Sequence, residues 1–256
     1  SVRVGSLTTD QVVALTTDQA ATLSSAQLGL LSSDQVFALE DGDLQALKTA
    51  ALAGLSSQAV SGLSETQTGL LTTDQVKALT TLQVKGLTEV QTPGLSSDQA
   101  RVLGTTVMSS LGTAALKALS TDAVAGLLTT QVASLSSVQV GSLTTDQVRG
   151  LTNSQVVALT TDQVVALTTN QAATLGTSQA AGLSTTQLKQ IESDDLRRLS
   201  TAVVSSLSTD ATQALSNTQL SGLTTAQVAA LKTESLRLLT TDQLSGLGAT
   251  QVGSLT

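Results

Sequence analysis

Leucine recurs at every eighth residue along almost the whole chain. The series begins at Leu7 and runs without insertion or deletion to Leu255, and Ile191 is the single exception among its 32 positions. The usual unit is L-[ST]-[ST]-x-Q-[VLA]-x-[AGS], as in LTTDQVVA at residues 7–14. We number the positions of this repeat unit from 1, the leucine, to 8. Position 6 is apolar in 28 of the 31 complete units, so each unit carries two apolar positions on a polar background.

An eight-residue period suits neither a long helix nor a strand. In a continuous α-helix, eight residues rotate by roughly 800°, so a leucine stripe would drift by about 80° per unit and circle the axis. In a strand, positions 1 and 6 would point to opposite faces because side chains alternate. The period therefore favours a short element that restarts in every unit.

The polar positions of the unit match the start of a helix. If Thr8 is the N-cap residue, Gln11 lies at N3 and the two form a capping box. Leu7 and Val12 are then the two partners of a hydrophobic staple. Asp10 falls at N2, where a carboxylate favours the positive end of the helix dipole, and 12 of the 19 acidic residues occupy this position. Where a base follows at position 7 of the same unit, we expect i,i+3 ion pairs.

We therefore predict an all-α solenoid of about 31 short capped helices, each of one and a half to two turns, with a β-solenoid as the alternative. Such helices are too short to be stable alone and must stack on their neighbours. Position 8 is Ala or Gly in 18 units, which predicts close approach of backbones, and the variable position 7 is expected to face outward. The array starts and stops inside a unit, so we expect residues 1–256 to be one continuous array and a fragment of a longer protein.

Departures from the repeat are clustered. Pro93 should break the short helix of its unit because proline removes an amide donor and clashes with the preceding turn. Gln is replaced in three groups of three consecutive units, which we interpret either as duplication of a longer block or as a set of interaction patches or bends. These positions are Asp43, Ala51 and Ala59; Val107, Ala115 and Ala123; and Asp195, Val203 and Ala211.

The composition excludes several chemistries. The 256 residues include no His, Cys, Trp or Tyr and one Phe, with a net charge of −7. Disulfides, thiolate nucleophiles, Cys/His metal sites and imidazole bases are therefore absent. We expect no enzyme activity, no cofactor and no catalytic or metal-binding residues. Two acidic clusters, Glu40-Asp41-Asp43 and Glu192-Asp194-Asp195, lie in units without a hydroxyl at position 2, where acids could take the place of the cap.

The paired hydroxyls at positions 2 and 3 leave further interpretations open. A regular Ser/Thr array could bind ice or another surface, or carry O-linked sugars, although the capping role explains one hydroxyl of each pair. LTTDQVVAL also resembles the opening of TAL-effector DNA-binding repeats. That resemblance covers only about nine residues of a repeat of more than thirty, the base-reading loop has no counterpart, and the acidic balance opposes phosphate binding. We expect no nucleic-acid partner, and no stretch is long and apolar enough for membrane insertion.

A resemblance to a known family covers the whole chain. LTTDQVVALTTNQAATL at residues 159–175 resembles the Leu-Thr-Thr-x-Gln-Val-x-Ala-Leu arrays of large bacterial proteins labelled "heme utilization or adhesion". The resemblance implies a secreted or cell-surface protein with a fibrous character, while haem has no His, Cys or Tyr to act as its axial ligand here. We expect a structural or adhesive extracellular region, a stalk or a filament that self-associates end to end or laterally. The alternative is a solenoid that binds a protein or carbohydrate partner at the cell surface.

Overall fold

The chain consists of short helices joined by brief connections. The computed structural model describes residues 4–255, and within that range there are thirty α-helices of four to six residues, two 3-10 helices and no β-strand. The predicted all-α fold is confirmed, and the β-solenoid alternative is wrong. None of the helices between residues 4 and 255 is long and apolar enough to cross a membrane.

The helices fall into two compact lobes, one ending at Leu135 and the other beginning at Ser136. The α-helices of the N-terminal lobe, α1 to α15, are Thr9–Val13, Thr17–Ala21, Ser25–Leu28, Ser33–Phe37, Asp41–Ala46, Thr49–Leu52, Ser57–Val60, Glu65–Leu70, Thr73–Lys77, Thr81–Val84, Ser97–Val102, Thr105–Met108, Thr113–Ala118, Thr121–Gly126 and Thr129–Ser134. Its 3-10 helices are Val4–Ser6 and Thr92–Gly94. The α-helices of the C-terminal lobe, α16 to α30, are Ser137–Ser142, Thr145–Gly150, Asn153–Val157, Thr161–Val165, Thr169–Ala172, Thr177–Gly182, Thr185–Gln190, Ser193–Arg198, Thr201–Ser206, Thr209–Ala214, Asn217–Gly222, Thr225–Ala229, Thr233–Arg237, Thr241–Ser245 and Ala249–Val252. The single continuous array over residues 1–256 stays a prediction.

Each repeat unit folds as its capping residues predict. In the unit that begins at Leu71, Thr72 is the N-cap with extended backbone (φ −68°, ψ 157°). Its Oγ1 accepts from the Gln75 amide at 3.2 Å, and its own amide donates to Gln75 Oε1 at 2.9 Å. The next leucine closes the helix, because the Leu79 amide donates to the carbonyl oxygen of Val76 at 3.2 Å. The leucine at position 1 thus ends one helix and precedes the cap of the following one.

In units without a hydroxyl at position 2, the side chain at position 2 does not cap the helix. Glu40 and Glu192 adopt the extended backbone of an N-cap, yet neither side chain accepts a hydrogen bond from the helix that follows. The expectation that acidic side chains replace the missing cap is therefore wrong at both N-cap positions. Leu128 keeps half of the capping box, since its amide donates to Gln131 Oε1 at 2.6 Å.

Pro93 has the predicted effect on its unit. Among residues 4–255, the unit at 87–94 is the one complete repeat without an α-helix, and a three-residue 3-10 helix, Thr92–Gly94, stands in its place. Because the leucine spacing is unchanged, this unit still packs like the others. Thirty α-helices and this 3-10 helix together account for the 31 predicted elements.

Three repeat units form one layer of each stack. In both lobes, packed helices belong to units three apart: α4 packs against α1 and α7, and α21 packs against α18 and α24. Every fourth unit therefore lies over the first, and one layer holds three helices. This repeated packing is that of a solenoid, and the number of units in a layer is the feature that the local sequence pattern left open.

The core is a thin seam of aliphatic side chains. Positions 1 and 6 are buried in most units, as for Leu39 and Val36, whose side chains are 3% and 0% exposed. Phe37, the one aromatic residue, lies at position 7 and is 63% exposed. No described residue at position 7 is buried, so the prediction that this position faces outward is confirmed. A seam this narrow is filled by Leu, Val and Ala and does not require aromatic rings.

Three threonines at position 6 are also fully buried. Thr68 and Thr212 satisfy their hydroxyls locally, by donating to the carbonyl oxygens of Ser64 at 2.8 Å and Ser208 at 3.1 Å. Thr92 donates to the next layer as well, through the carbonyl oxygen of Ala115 at 2.8 Å. A hydroxyl is tolerated in the core because backbone carbonyls lie within reach of it.

Candidate functional site

Successive layers are joined by the glutamine at position 5. Gln75 is 2% exposed, and its Oε1 accepts from the amide of its own N-cap residue, Thr72. Its Nε2 points the other way and donates to carbonyl oxygens of the layer before: Leu44 at 2.9 Å, Gln45 at 3.1 Å and Leu47 at 2.9 Å. These carbonyls lie at the C-terminal end of helix α5, where the last carbonyl oxygens of a helix lack amides four residues later, although Leu44 also accepts from the Leu47 amide. One amide side chain thus caps its own helix and satisfies the end of another.

The same arrangement recurs throughout both lobes. In each case Nε2 donates to the carbonyl oxygen of the position-1 residue 28 residues earlier, at 2.6 to 3.0 Å. We call this set the glutamine ladder; it comprises Gln35, Gln67, Gln75, Gln83, Gln91, Gln99, Gln131, Gln171, Gln179, Gln187, Gln219, Gln227, Gln243 and Gln251. Gln11 and Gln19, in the first described layer, form the capping box but remain exposed.

The sequence prediction recognised only half of this role. A capping box accepts Glu as readily as Gln at N3, and the helix dipole would favour the acid. Yet position 5 is Gln in 21 units and Glu in none. A carboxylate could accept from the N-cap amide but could not donate to carbonyl oxygens, whereas an amide does both. The strict choice of Gln over Glu was the signal in the sequence for an interlayer bond.

The three groups of units without Gln now have a structural meaning. Since three units make one layer, each group removes the glutamine from one whole layer. Eight of the nine replaced positions are buried, with Val107 the half-buried exception, so these side chains do not form an exposed interaction patch. The replacements are Ala, Val and Asp, and none of these side chains can donate to the carbonyl oxygens of the layer before as the glutamine amide does.

The small residues at position 8 allow the layers to approach closely. A Cβ atom added to Gly54 would lie 1.9 Å from the carbonyl oxygen of Ser25, and one added to Gly62 would lie 2.2 Å from that of Ser33. Both contacts join position 8 to position 3 of the unit three repeats earlier, on the adjacent layer. The predicted close approach of backbones at position 8 is therefore confirmed. By contrast, a Cβ atom at Gly112, an N-cap residue, would meet nothing within 4 Å.

The acidic clusters do not converge on a common point. Asp43 is 2% exposed at a glutamine position, and its Oδ2 has no hydrogen-bond partner among residues 4–255, while Glu40 and Asp41 are exposed. Asp195 occupies the equivalent position in the second cluster and is 6% exposed. The described part of the chain contains no group of three or more acidic side chains placed to hold a metal ion.

Among residues 4–255, one of the expected ion pairs within units forms. Arg149 Nη2 and Asp146 Oδ1 are 2.5 Å apart in helix α17, with the two side chains 67% and 65% exposed. Because both are largely in water, the pair contributes at most a few tenths of a kcal/mol. Asp194 and Arg197 have the same spacing but do not pair within 4 Å in the described structure. The acid-early and base-late order therefore reflects the helix dipole more than direct contacts.

Comparison with known sequences agrees with the repeat. The ALTTAQ repeat matches four segments of the chain, residues 36–73, 137–169, 188–225 and 223–256. No curated protein sequence matches the chain significantly. The matched segments lie in both lobes and include five of the ladder glutamines, together with units from two of the layers that lack Gln. With more than half of its residues matched, the chain belongs to the ALTTAQ repeat family.

Proposed function

We propose that this repeat region is structural and non-catalytic, and that it acts outside the cell as a stalk or filament. The observation that carries the proposal is the glutamine ladder, because the same hydrogen bonds join successive layers within each lobe. Because each layer contacts only its neighbours, further repeats can lengthen the stack and form the same contacts again. A spacer protein requires such length.

The buried interior supports the same role. Among residues 4–255 the buried side chains are mainly aliphatic residues and glutamine amides, and the ladder glutamines are already hydrogen-bonded within the fold. The exposed positions 4 and 7 vary among small, polar, charged and apolar residues. Variation at exposed positions with a constant interior is the pattern expected where the stack itself is the functional feature.

Self-association is part of this proposal. Exposed apolar side chains on the N-terminal lobe support lateral contacts between copies, because Phe37, Leu82 and Val90 are 63%, 66% and 59% exposed and a second copy could cover them. Association of copies end to end is the other form of the proposal. The extracellular location rests on the resemblance to secreted and cell-surface arrays.

A length series tests the spacer role. Duplicating residues 143–166 adds three units, and therefore one layer, whereas duplicating residues 143–154 adds a similar sequence that is out of register by half a unit. We expect the first variant to keep its helical circular dichroism and melting temperature, and to lengthen by a constant step in electron micrographs. The second should lose stability. Loss of structure in both variants, or particles of unchanged length, would contradict the proposal.

Two further measurements test the remaining parts. Sedimentation over a range of concentrations should show reversible assembly, and a single monomeric species at all concentrations would contradict self-association. In intact cells of the source organism, externally added protease should remove the region. Full protection until the cells are lysed would contradict the extracellular location.

A further inference from the structure

A polar groove on the C-terminal lobe contains the one pair of adjacent basic residues in the sequence, Arg197 and Arg198. They lie at the end of helix α23 and line a surface cavity of about 710 Å³. The rest of its lining is polar too: Thr169 and Asn170 from the layer before, Asp194 from the same helix, and Thr224. A cavity of this size is within the range of ligand-binding pockets.

A second cavity continues the groove. It measures about 580 Å³ and shares Arg197 and Thr224 with the first. Its further lining is dominated by small and hydroxyl residues, including Ser221, Thr225 and Thr250. Arg197 therefore lies between two adjoining spaces whose walls present hydroxyl groups, and their linings include residues of four units stacked in succession, those that begin at residues 167, 191, 215 and 239.

The position of Arg198 is unusual for this repeat. Position 8 is Ala, Gly, Ser or Thr in 25 of the 31 units, and Arg198 is the one charged residue found there. Both arginine side chains are exposed, and no ion pair joins either one to an acid within 4 Å in the described residues. Uncommitted guanidinium groups are well suited to carboxylate or sulfate, which they bind through two parallel hydrogen bonds.

The unit at 191–198 contains three acids and two arginines, but the residues that line the groove carry one more positive than negative charge. The stacked units at 167–174 and 215–222 and the unit at 223–230 contain no charged residue. Within helix α23 and its cap, Asp195 is buried and Glu192 is exposed, while Asp194 lines the cavity. The cavity lining thus holds two cations and one anion on a chain whose net charge is −7.

We propose that this groove binds an acidic polysaccharide, with Arg197 and Arg198 holding its carboxylate or sulfate groups. The hydroxyl and amide side chains along both cavities would bond the sugar hydroxyls, and Asp194 would accept from one of them. The groove suits a peptide less well. A peptide would need a strand edge for its backbone or an apolar pocket for its side chains, and the described residues of the groove provide neither. The site is independent of the proposed structural role.

Titration calorimetry of the purified chain with three probes tests the site: oligogalacturonate for carboxylates, sulfated dextran oligosaccharides for sulfates, and neutral dextran oligosaccharides. We expect at least one acidic probe to bind at low ionic strength, more weakly as salt is added, and the neutral probe not to bind. Which acidic probe binds more tightly identifies the anionic group. Absence of binding by both acidic probes, or equal binding of the neutral probe, would overturn the proposal.

Matched variants separate the site from overall charge. Arg197→Gln combined with Arg198→Gln should weaken binding by about tenfold or more, because two charge-assisted contacts are lost. Arg149→Gln combined with Arg237→Gln changes the net charge by the same amount outside the groove and should leave the affinity within about twofold. Asp194→Asn should strengthen binding. Equal weakening in the two double variants, with unchanged circular dichroism, would show nonspecific charge attraction and refute the site.

Discussion

Replacing Gln75 by alanine should destabilise the N-terminal lobe far more than replacing Gln19 by alanine. Both glutamines accept from the amide of their N-cap residue at 2.9 Å. Gln75 alone has Nε2 buried against the carbonyl oxygens of Leu44, Gln45 and Leu47, whereas Gln19 is exposed. The pair of variants therefore isolates the interlayer contribution from the contribution of the capping box.

The expected magnitudes follow from this difference. Loss of a capping contact costs about 0.5–1 kcal/mol, and both variants lose it. At Gln75, carbonyl oxygens buried between layers also lose their donor, and a buried group left without its partner costs about 1–3 kcal/mol. Gln75→Ala should therefore lower the free energy of unfolding by about 2–4 kcal/mol and Gln19→Ala by less than about 1 kcal/mol.

Urea unfolding followed by far-UV circular dichroism measures the two changes. Because stacked repeats can unfold in parts, hydrogen exchange at residues 39–47 supplies a local measurement of the same contact. Exchange there should accelerate in Gln75→Ala and stay unchanged in Gln19→Ala. Equal destabilisation by the two substitutions, or unchanged exchange in both, would refute the interlayer role of the amide.

The charge of the side chain provides a second test at the same residue. Gln75→Glu keeps an acceptor for the Thr72 amide but places a carboxylate against carbonyl oxygens, so it should destabilise more than alanine at about pH 7. Burial against acceptors raises the pKa of such a glutamate above its unfolded value, so the folded state binds the proton more tightly and stability recovers as the pH falls towards about 4. Gln19→Glu should show no such recovery.

Three further predictions concern single contacts. Gly54→Ala should cost about 1–3 kcal/mol because its Cβ would overlap the carbonyl oxygen of Ser25, while Gly42→Ala in helix α5, whose Cβ would lie 3.7 Å from Thr17 Oγ1, should not lower thermal stability. Asp43→Asn should raise the urea midpoint by removing a buried charge whose Oδ2 has no partner in the described structure, and exposed Asp41→Asn should not. Hydrogen exchange should be faster over residues 164–183, whose helix-end carbonyls face the layer without Gln, than over residues 140–159, whose carbonyls accept from Gln171, Gln179 and Gln187; equal rates would contradict a weaker interface.

Only part of the interlayer site could be predicted from the sequence. The choice of Gln over Glu at position 5 indicates that a donor is needed, but the sequence does not say where the acceptors lie. Those acceptors are backbone carbonyl oxygens about three units away. Because every residue type has such a carbonyl, the pattern of residue types does not identify them. Likewise, the groups of three units without Gln became interpretable only when three units were seen to form a layer.

The eight-residue period by itself determined the helices, their caps, their closure at leucine and the aliphatic seam. These features depend on contacts within one unit, between residues at most a few positions apart, so each unit encodes them completely. The number of units in a layer, the second role of the glutamine and the close approach at position 8 were decided by the tertiary structure. They depend on the angle at which each helix leaves the one before, and that angle is set by the packing of side chains from units distant in sequence.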